Sequence, residues 1–322
     1  MAGVWLSVVI PTYNGAAYLP AALESLCGQS EQTFEVIAVD DGSTDETLAV
    51  LERFSAWLPL RVVARRHSGN WVASTNLGMW LAQGRYLGWL HQDDQWAPER
   101  VASLHALAGR HPDAALLFHP VQFIDGAGRT VGTWRPPLRR PGRYLPPDGV
   151  FERLMVQNFI AASAAVFPAG AWRQVGDADE RLWFLADWDF WLRLARHGPV
   201  VYHPGLLGSF RLHGRSQTAQ GFVATDDLAE QYRIVLARHL DPSGQGLPCG
   251  AWVAPVARFA ADMTLALSAW SAGRSPDWPR LARAFLRLGP GGWFRFAHHS
   301  RIAERLVARL RGGVRAEAAQ HP

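Results

Sequence analysis

The sequence contains no lysine; all 32 of its basic residues are arginine. Without a side-chain amine there is no Schiff-base chemistry, and no Walker A loop, which requires Gly-Lys followed by Ser or Thr. Cysteine is scarce. Cys27 and Cys249 lack CxxC spacing, which excludes a zinc ribbon and a disulfide-dense scaffold. Two unpaired thiols suit a reducing compartment. No apolar run approaches the roughly 20 residues of a transmembrane helix; the best candidate, Trp252 to Trp270, is broken by Arg258 and Asp262. No GxGxxG follows a strand pattern, which argues against a nicotinamide dehydrogenase. The opening residues Met1 to Ser7 carry no basic segment and run straight into a strand pattern, so no signal peptide is expected and the cytoplasm is the expected location.

What is present points to an α/β protein. The 322 residues are 48% hydrophobic and 19% charged, enough for a sizeable core in one large domain with an appendage, or in two domains. Leu6 to Ile10 and Phe34 to Val39 are short β-branched runs of the buried-strand kind, and Leu60 to Ala64 and Tyr86 to Leu90 follow as third and fourth strands. Between them lie helical spacings: Leu19, Leu23 and Leu26 after the first strand, Leu48, Leu51 and Phe54 after the second, and Asn76 to Leu81 before Gly84. Ser43 and Glu46 have the spacing of a capping box. Strands are also expected at Ala115–Phe118, Ile160–Phe167, Val200–His203 and Leu206–Leu212, with a hairpin turn at Asp125–Gly128 and an irregular Pro- and Arg-rich loop over 134–148. From about residue 222 the pattern is helical.

Alternating strands and helices with short connections imply a mainly parallel sheet, whose ligands bind beyond the carboxyl ends of its strands. Three polar clusters sit at such ends: Pro11-Thr12-Tyr13-Asn14, Asp40-Asp41 and Asp93-Asp94. One Asp-Asp pair is usually a solvated turn; several at successive strand ends of one sheet imply a site.

Val8-Val-Ile-Pro-Thr-Tyr-Asn-Gly15, Val39-Asp-Asp-Gly-Ser-Thr-Asp45, Asp93-Asp94, and Asp187-Trp188-Asp189 with Arg193, in that order, resemble the family 2 glycosyltransferases over residues 5–215. The resemblance implies the GT-A fold, a Rossmann-like sheet flanked by helices, over 1–220, with a helical extension over 221–322. It implies an inverting enzyme that takes a sugar from a nucleotide-diphosphate sugar to a saccharide or lipid-linked acceptor. Pro11, Thr12, Tyr13 and Asn14 would then wrap the base and ribose. Asp41, with Asp40 beside it, would meet the base edge; the other reading of Asp40 is a cap for the next helix. Asn76 and Arg211 would lie near the phosphates. Asp94 would hold a divalent cation, Mn²⁺ or Mg²⁺, that neutralises the leaving diphosphate. Asp93 would meet a sugar or ribose hydroxyl, and His213 phosphate or metal. Inversion needs a general base; Asp187 fits that place, with Asp189 as the second choice. The sequence departs from the family pattern at His91, where an Asp is common, at Thr75, where an Arg often precedes the Asn, and at Ala186, where a Glu usually precedes the base. Those departures motivate a rival reading, a sugar- or nucleotide-binding protein of the same fold without turnover.

The charge is uneven. Residues 1–270 hold 22 Arg and 25 acidic residues, whereas residues 271–322 hold 10 Arg and 3. Arg280, Arg283 and Arg287 share a helical stretch with Leu281, Phe285 and Leu288; Arg301, Arg305 and Arg309 repeat opposite Ile302, Leu306 and Leu310; Trp293-Phe294-Arg295-Phe296 lies between. Such basic amphipathic helices suit an anionic membrane surface or an ordinary helical bundle with a solvated arginine face. Nucleic acid is not an expected partner, because no recognition motif accompanies the charge.

Overall fold

Strand β1 (Leu6–Thr12) is buried at every residue, because both faces of a central parallel strand meet helices. Leu6, Val8 and Ile10 pack into a core shared with helices α1 (Leu19–Cys27), α2 (Thr47–Phe54) and α4 (Arg100–Arg110). Val9 points to the opposite face, into a core with α3 (Trp71–Leu81). This alternation, forced by the two-residue period of a strand, sets up three layers. The computed structural model describes residues 3–138, 141–214, 216, 225–240 and 249–302.

The central sheet has seven strands in the order β10 (Val200–Tyr202), β6 (Leu116–Phe118), β9 (Ala165–Pro168), β4 (Tyr86–Trp89), β1, β2 (Phe34–Asp40) and β3 (Leu60–Ala64). All neighbours are parallel except β9, which runs antiparallel to β4 and β6. A second sheet joins β5 (Gln95–Trp96), β11 (Gly208–Arg211), β7 (Val121–Ile124) and β8 (Thr130–Trp134). The β7–β8 hairpin turns where expected, and Asp125 Oδ1 accepts from the N–H groups of Ala127 and Arg129, both at 2.9 Å. The protein is thus mixed α/β, with a mainly parallel sheet between helices and a helical C-terminal region.

Several local expectations are corrected. Ser43 does not cap α2: the N-cap position is Glu46, without a side-chain cap bond, and Asp45 Oδ1 accepts the Thr47 N–H at 3.0 Å just before the helix. Helix α3 begins at Trp71 rather than Asn76, because the Asn70 side chain caps it through the Val72 N–H at 3.0 Å. The apolar run Ile160–Phe167 is not one strand: a turn of 3₁₀ helix occupies Ala162–Ala164, and β9 starts only at Ala165. Helix α5 (Pro147–Val156) emerges from the proline-rich stretch, since proline is accepted in a first helical turn.

Helices α6 (Ala169–Val175) and α7 (Ala186–His197) follow β9. Then come α8 (Thr225–Leu240), α9 (Val253–Ser271) and α10 (Trp278–Ser300). Leu228, Tyr232 and Val235 of α8 and Val253, Ala257 and Ala261 of α9 share one buried core with Trp89, Phe167 and Trp191. Helix α10 bends at Gly289, whose φ is 65°, followed by Pro290. Arg280, Arg283 and Arg287 are exposed, while Leu281 is buried. Arg305, Leu306, Arg309 and Leu310 lie outside the described residues. Among the described residues no helix is long and apolar enough to cross a membrane.

Candidate active site

The register of β1 on β2 sets Thr12 beside Asp40. Thr12 Oγ1 donates to Asp40 Oδ1 at 3.2 Å, and the Ser43 N–H and hydroxyl donate to the same carboxylate at 2.9 and 2.5 Å. Asp40 therefore fastens the turn after β2 and does not reach a ligand surface. Asp41 faces the other way. Its carboxylate accepts the backbone N–H groups of Ser68 and Gly69 and the Ser68 hydroxyl, with Arg65 Nε at 3.3 Å. His67 Nδ1 lies 2.8 Å from the Asp41 carbonyl oxygen, and the Tyr13 ring stacks on His67 at 4.1 Å. Gly42 permits this arrangement: its φ is 75°, and a Cβ there would come within 2.9 Å of the His67 backbone nitrogen. Gln92 closes the corner. It accepts the Tyr13 N–H at 2.9 Å and donates to the Tyr13 carbonyl at 3.0 Å.

A cleft of about 680 Å³ starts from this corner, with Pro11, Thr12, Tyr13 and Asp41 on its wall. Asn14 is not on the wall; its side-chain oxygen accepts the Thr44 N–H at 2.8 Å. Asn76 is not brought there either. It is buried on α3, donating to the Ala178 carbonyl at 2.9 Å and accepting the Ala178 N–H at 3.1 Å.

The middle of the cleft is formed where β4 ends. Asp93 lines it, and its Oδ2 lies 2.9 Å from His213 Nε2. Burial disfavours the Asp93 anion, but the His213 hydrogen bond and the nearby imidazoles outweigh that and hold the carboxyl below its ordinary range. Asp94 sits below the cleft surface. Its two oxygens accept from the Ser163 hydroxyl at 2.6 Å and the Arg211 N–H at 3.0 Å. Burial, reinforced by the neighbouring Asp93 charge, pushes its carboxyl well above the carboxylate range. Arg211 is likewise withdrawn: Nε donates to the Asp93 carbonyl at 2.8 Å and Nη1 to the Asp125 carbonyl at 3.1 Å. Phe210, Leu212, His213 and Ser216 of that segment line the cleft instead.

A potential ligand atom from each of His91, Asp93 and Asp94 lies within 4.8 Å of the others. His91 Nε2 and His213 Nδ1 are buried nitrogens without a partner among the described residues. A buried, unpaired imidazole nitrogen beside a carboxylate is the donor set a divalent cation can satisfy. The residues present thus fit a cation, with His91, Asp93 and Asp94 as the side chains that would offer its ligand atoms.

The far end is built by α7 and the C-terminal helices. Asp187, in the first turn of α7, lines the cleft; its Oδ2 accepts from Asn158 Nδ2 at 2.9 Å and its Oδ1 from the Trp188 N–H at 2.7 Å. Asp189 does not share that position. Two residues on a helix turn the side chain through about 200°, so Asp189 is fully buried between Arg193 Nε at 2.9 Å, Arg238 Nη1 at 2.8 Å and His239 Nε2 at 2.9 Å. Of the aromatic residues before and within α7, Trp183, Phe184 and Trp188 line the cleft, while Trp191 is core.

The cleft thus gathers Pro11, Thr12, Tyr13, Asp41, Asp93, His213 and Asp187, while Asn14, Asp40, Asn76, Asp94, Arg211 and Asp189 support it from outside its wall. Gln92, His67, Ser163 and Asn158 have no role in the sequence reading. A signal for the first two existed: Gln92 lies inside the His91–Asp94 cluster, and His67-Ser68-Gly69 is one more polar group beyond a strand end. Nothing local marks Ser163 or Asn158.

Comparison with known proteins agrees with this geometry. Residues 7–166 match the model of Glycosyl transferase family 2. A PGL/p-HBAD biosynthesis glycosyltransferase of Mycobacterium bovis (strain BCG / Pasteur 1173P2) is 32% identical over 203 residues, covering 62% of this chain and 73% of that protein. Among solved structures, S. aureus TarS 1-349 in complex with UDP-GlcNAc superposes with a TM-score of 0.64 at 17% identity, over 96% of this chain and 90% of that one. The mannosyltransferase PcManGT from Pyrobaculum calidifontis, in complex with GDP-Man and Mn²⁺, gives 0.57 at 18% identity, over 95% and 86%. With its strand-end motifs gathered on one GT-A cleft and a relative of this identity over most of that relative's length, the chain belongs to glycosyltransferase family 2 and is a sugar-transferring enzyme.

Proposed function

We propose that this enzyme takes the sugar from a nucleotide-diphosphate sugar and transfers it, with inversion, to the hydroxyl of a saccharide or lipid-linked acceptor, with Asp187 as general base. The observation that carries this reading is that Asp41, Asp93 and Asp187, far apart in sequence, line one continuous cleft. Stacked Tyr13 and His67 and the fixed Asp41 carboxylate offer a flat, hydrogen-bonding corner for a nucleotide base. The donors of GT-A structures of the same fold, UDP-GlcNAc in TarS and GDP-Man in PcManGT, support a nucleotide sugar in that place.

Asp93 and His91 would hold a Mn²⁺ or Mg²⁺, which when bound supplies positive charge to the departing diphosphate; the imidazole favours Mn²⁺. Asp93, on the wall, offers the cleft-facing carboxylate in this reading, and Asp94 supports it from behind. At the far end Asp187 takes the acceptor hydroxyl proton. Asn158 holds one carboxylate oxygen and the α7 backbone the other, which orients the base toward the cleft. Trp183 and Phe184 line the same cleft.

Asp187→Asn is the test. General-base loss should lower the transfer rate by about 10²–10⁴-fold, while nucleotide-sugar affinity, read by calorimetry with Mn²⁺ present, stays within a few-fold. The anomeric configuration of the product, read by NMR, should be opposite to that of the donor. A retained configuration, or an Asp187→Asn enzyme at full rate, rejects the mechanism.

A further inference from the structure

The far wall of the cleft comes from a part of the chain beyond the family match. Tyr232 of α8 and Ala260 and Thr264 of α9 line it, next to Val156 at the end of α5. They face the site of Asp187: the Tyr232 ring lies 5.6 Å from that of Trp188. The wall is also tied to the loop before α7. Gln231 accepts the Phe184 and Leu185 N–H groups at 2.9 and 3.2 Å, and Trp183 Nε1 donates to Asp227.

Several polar atoms along this wall are turned into the protein. The Thr264 hydroxyl donates to the Ala260 carbonyl at 2.9 Å. The Trp188 indole donates to the Leu154 carbonyl at 2.7 Å, and the Trp71 indole to the Trp183 carbonyl. Around Val156, Ala260, Thr264 and the Trp188 ring the cleft surface is therefore mainly methyl, methylene and ring carbon, with Gln157 and Asn158 lining it alongside. A sugar hydroxyl set against these carbon atoms would lack a partner, and each unpaired buried polar group is costly. An apolar group would gain by leaving water.

Resting on the glycosyl-transfer reading above, we infer that the acceptor carries an apolar group, alkyl or aryl, next to the hydroxyl that Asp187 activates, and that Tyr232, Ala260 and Thr264 are its specificity residues. The family's catalytic sheet supplies the donor half of the cleft, and the C-terminal helices add a greasy acceptor half.

The experiment compares methyl, octyl and 4-nitrophenyl glycosides of the common hexoses as ligands for the full chain, with UDP or GDP and Mn²⁺ present and the octyl compounds below their micelle concentration. Calorimetry reads affinity. An octyl or 4-nitrophenyl glycoside should bind at least about ten-fold tighter than the methyl glycoside of the same sugar, and the two apolar arms tell alkyl from aryl. Ala260→Gln should abolish that preference. The UDP or GDP affinity of Ala260→Gln, read in the same titrations, separates a changed wall from a misfolded protein. Equal affinity of methyl and apolar glycosides, including no measurable binding of either, overturns the inference, as does a preference untouched by both Ala260→Gln and Tyr232→Ser. Failure of every UDP- and GDP-sugar to bind would instead sink the underlying functional reading.

Discussion

Asp187 and Asp189 carry the same side chain on the same helix turn, yet only one faces the cleft. Asp189 is held by Arg193, Arg238 and His239, so its charge is a structural element linking α7 to the end of α8. Burial opposes its ionisation, but the His239 hydrogen bond and the two guanidinium groups outweigh that and keep the carboxyl below its ordinary value. Asp189→Asn removes the charge at nearly constant shape and leaves the cations facing each other. Breaking a buried pair costs about 3–5 kcal/mol; the partial exposure of Arg238 and Arg193 places this case near about 3. Urea denaturation at pH 7 should show that loss. A carboxyl depressed in the folded state stabilises fully above its unfolded pKa and loses the contribution as pH falls through the folded one. The gap between the two proteins should therefore shrink below pH 3.8, the ordinary carboxyl value. Asp187→Asn should show no comparable loss. The family resemblance puts Asp187 first, but the local sequence gives no physical reason for that order, because both lie in the first helical turn and the deciding partners, Arg238 and His239, come from a distant helix. Asp41 was legible for the opposite reason: its place follows directly from where β2 stops.

At the scale of elements, the strands and helices of the first hundred residues were readable because each buried face is written locally as an apolar run or a helical spacing. Reading failed where a tertiary demand interrupts a local pattern. The Ile160–Phe167 run is broken so that Ser163 can accept the His91 N–H at 3.0 Å and donate to Asp94. The Ser43–Glu46 spacing looks like a cap, but the Ser43 hydroxyl is bound to Asp40. The bend in α10 shows the same tension. Gly289 has φ 65° and ψ 176°, a region open essentially to glycine alone, and no atom would crowd an added Cβ. Gly289→Ala should therefore destabilise by about 1–3 kcal/mol through backbone strain alone. Gly109 in α4 supplies the contrast: its added Cβ also meets nothing, but its backbone is helical. There alanine should stabilise by about 0.5–1 kcal/mol. Chemical denaturation midpoints moving in opposite directions would verify both; a neutral Gly289→Ala would mean that the bend relaxes into a continuous helix.

At the scale of the whole molecule, part of the charge imbalance read from composition is placed among the described residues. Arg274, Arg280, Arg283 and Arg287 are exposed on and beside α10, and Trp270, Trp278, Leu286 and Phe294 are exposed among them. Elsewhere α10 behaves as a bundle helix: Leu281 and Phe296 pack with Val256 and Phe259 of α9. Composition alone left a lipid-facing and a bundle helix as alternatives, because both need one apolar face; what distinguishes them is apolar surface left over after packing, which no single helix reveals. We propose that this leftover surface meets an anionic bilayer, a setting that also suits an acceptor with an apolar group. Each arginine near such a surface contributes about 1 kcal/mol, falling off within a Debye length, so Arg280, Arg283 and Arg287 predict binding that salt reverses. In flotation with phosphatidylglycerol-containing vesicles the protein should rise with the lipid at low salt, stay down with pure phosphatidylcholine, and return to the bottom fraction as salt is raised to about 1 M. Arg280→Ala with Arg283→Ala and Arg287→Ala should weaken partitioning by about 100-fold, and Phe294→Ser with Trp278→Ser should weaken it at every salt concentration, since buried rings are not screened. Equal flotation with neutral and anionic vesicles, or none with either, would assign the arginine face to solvent.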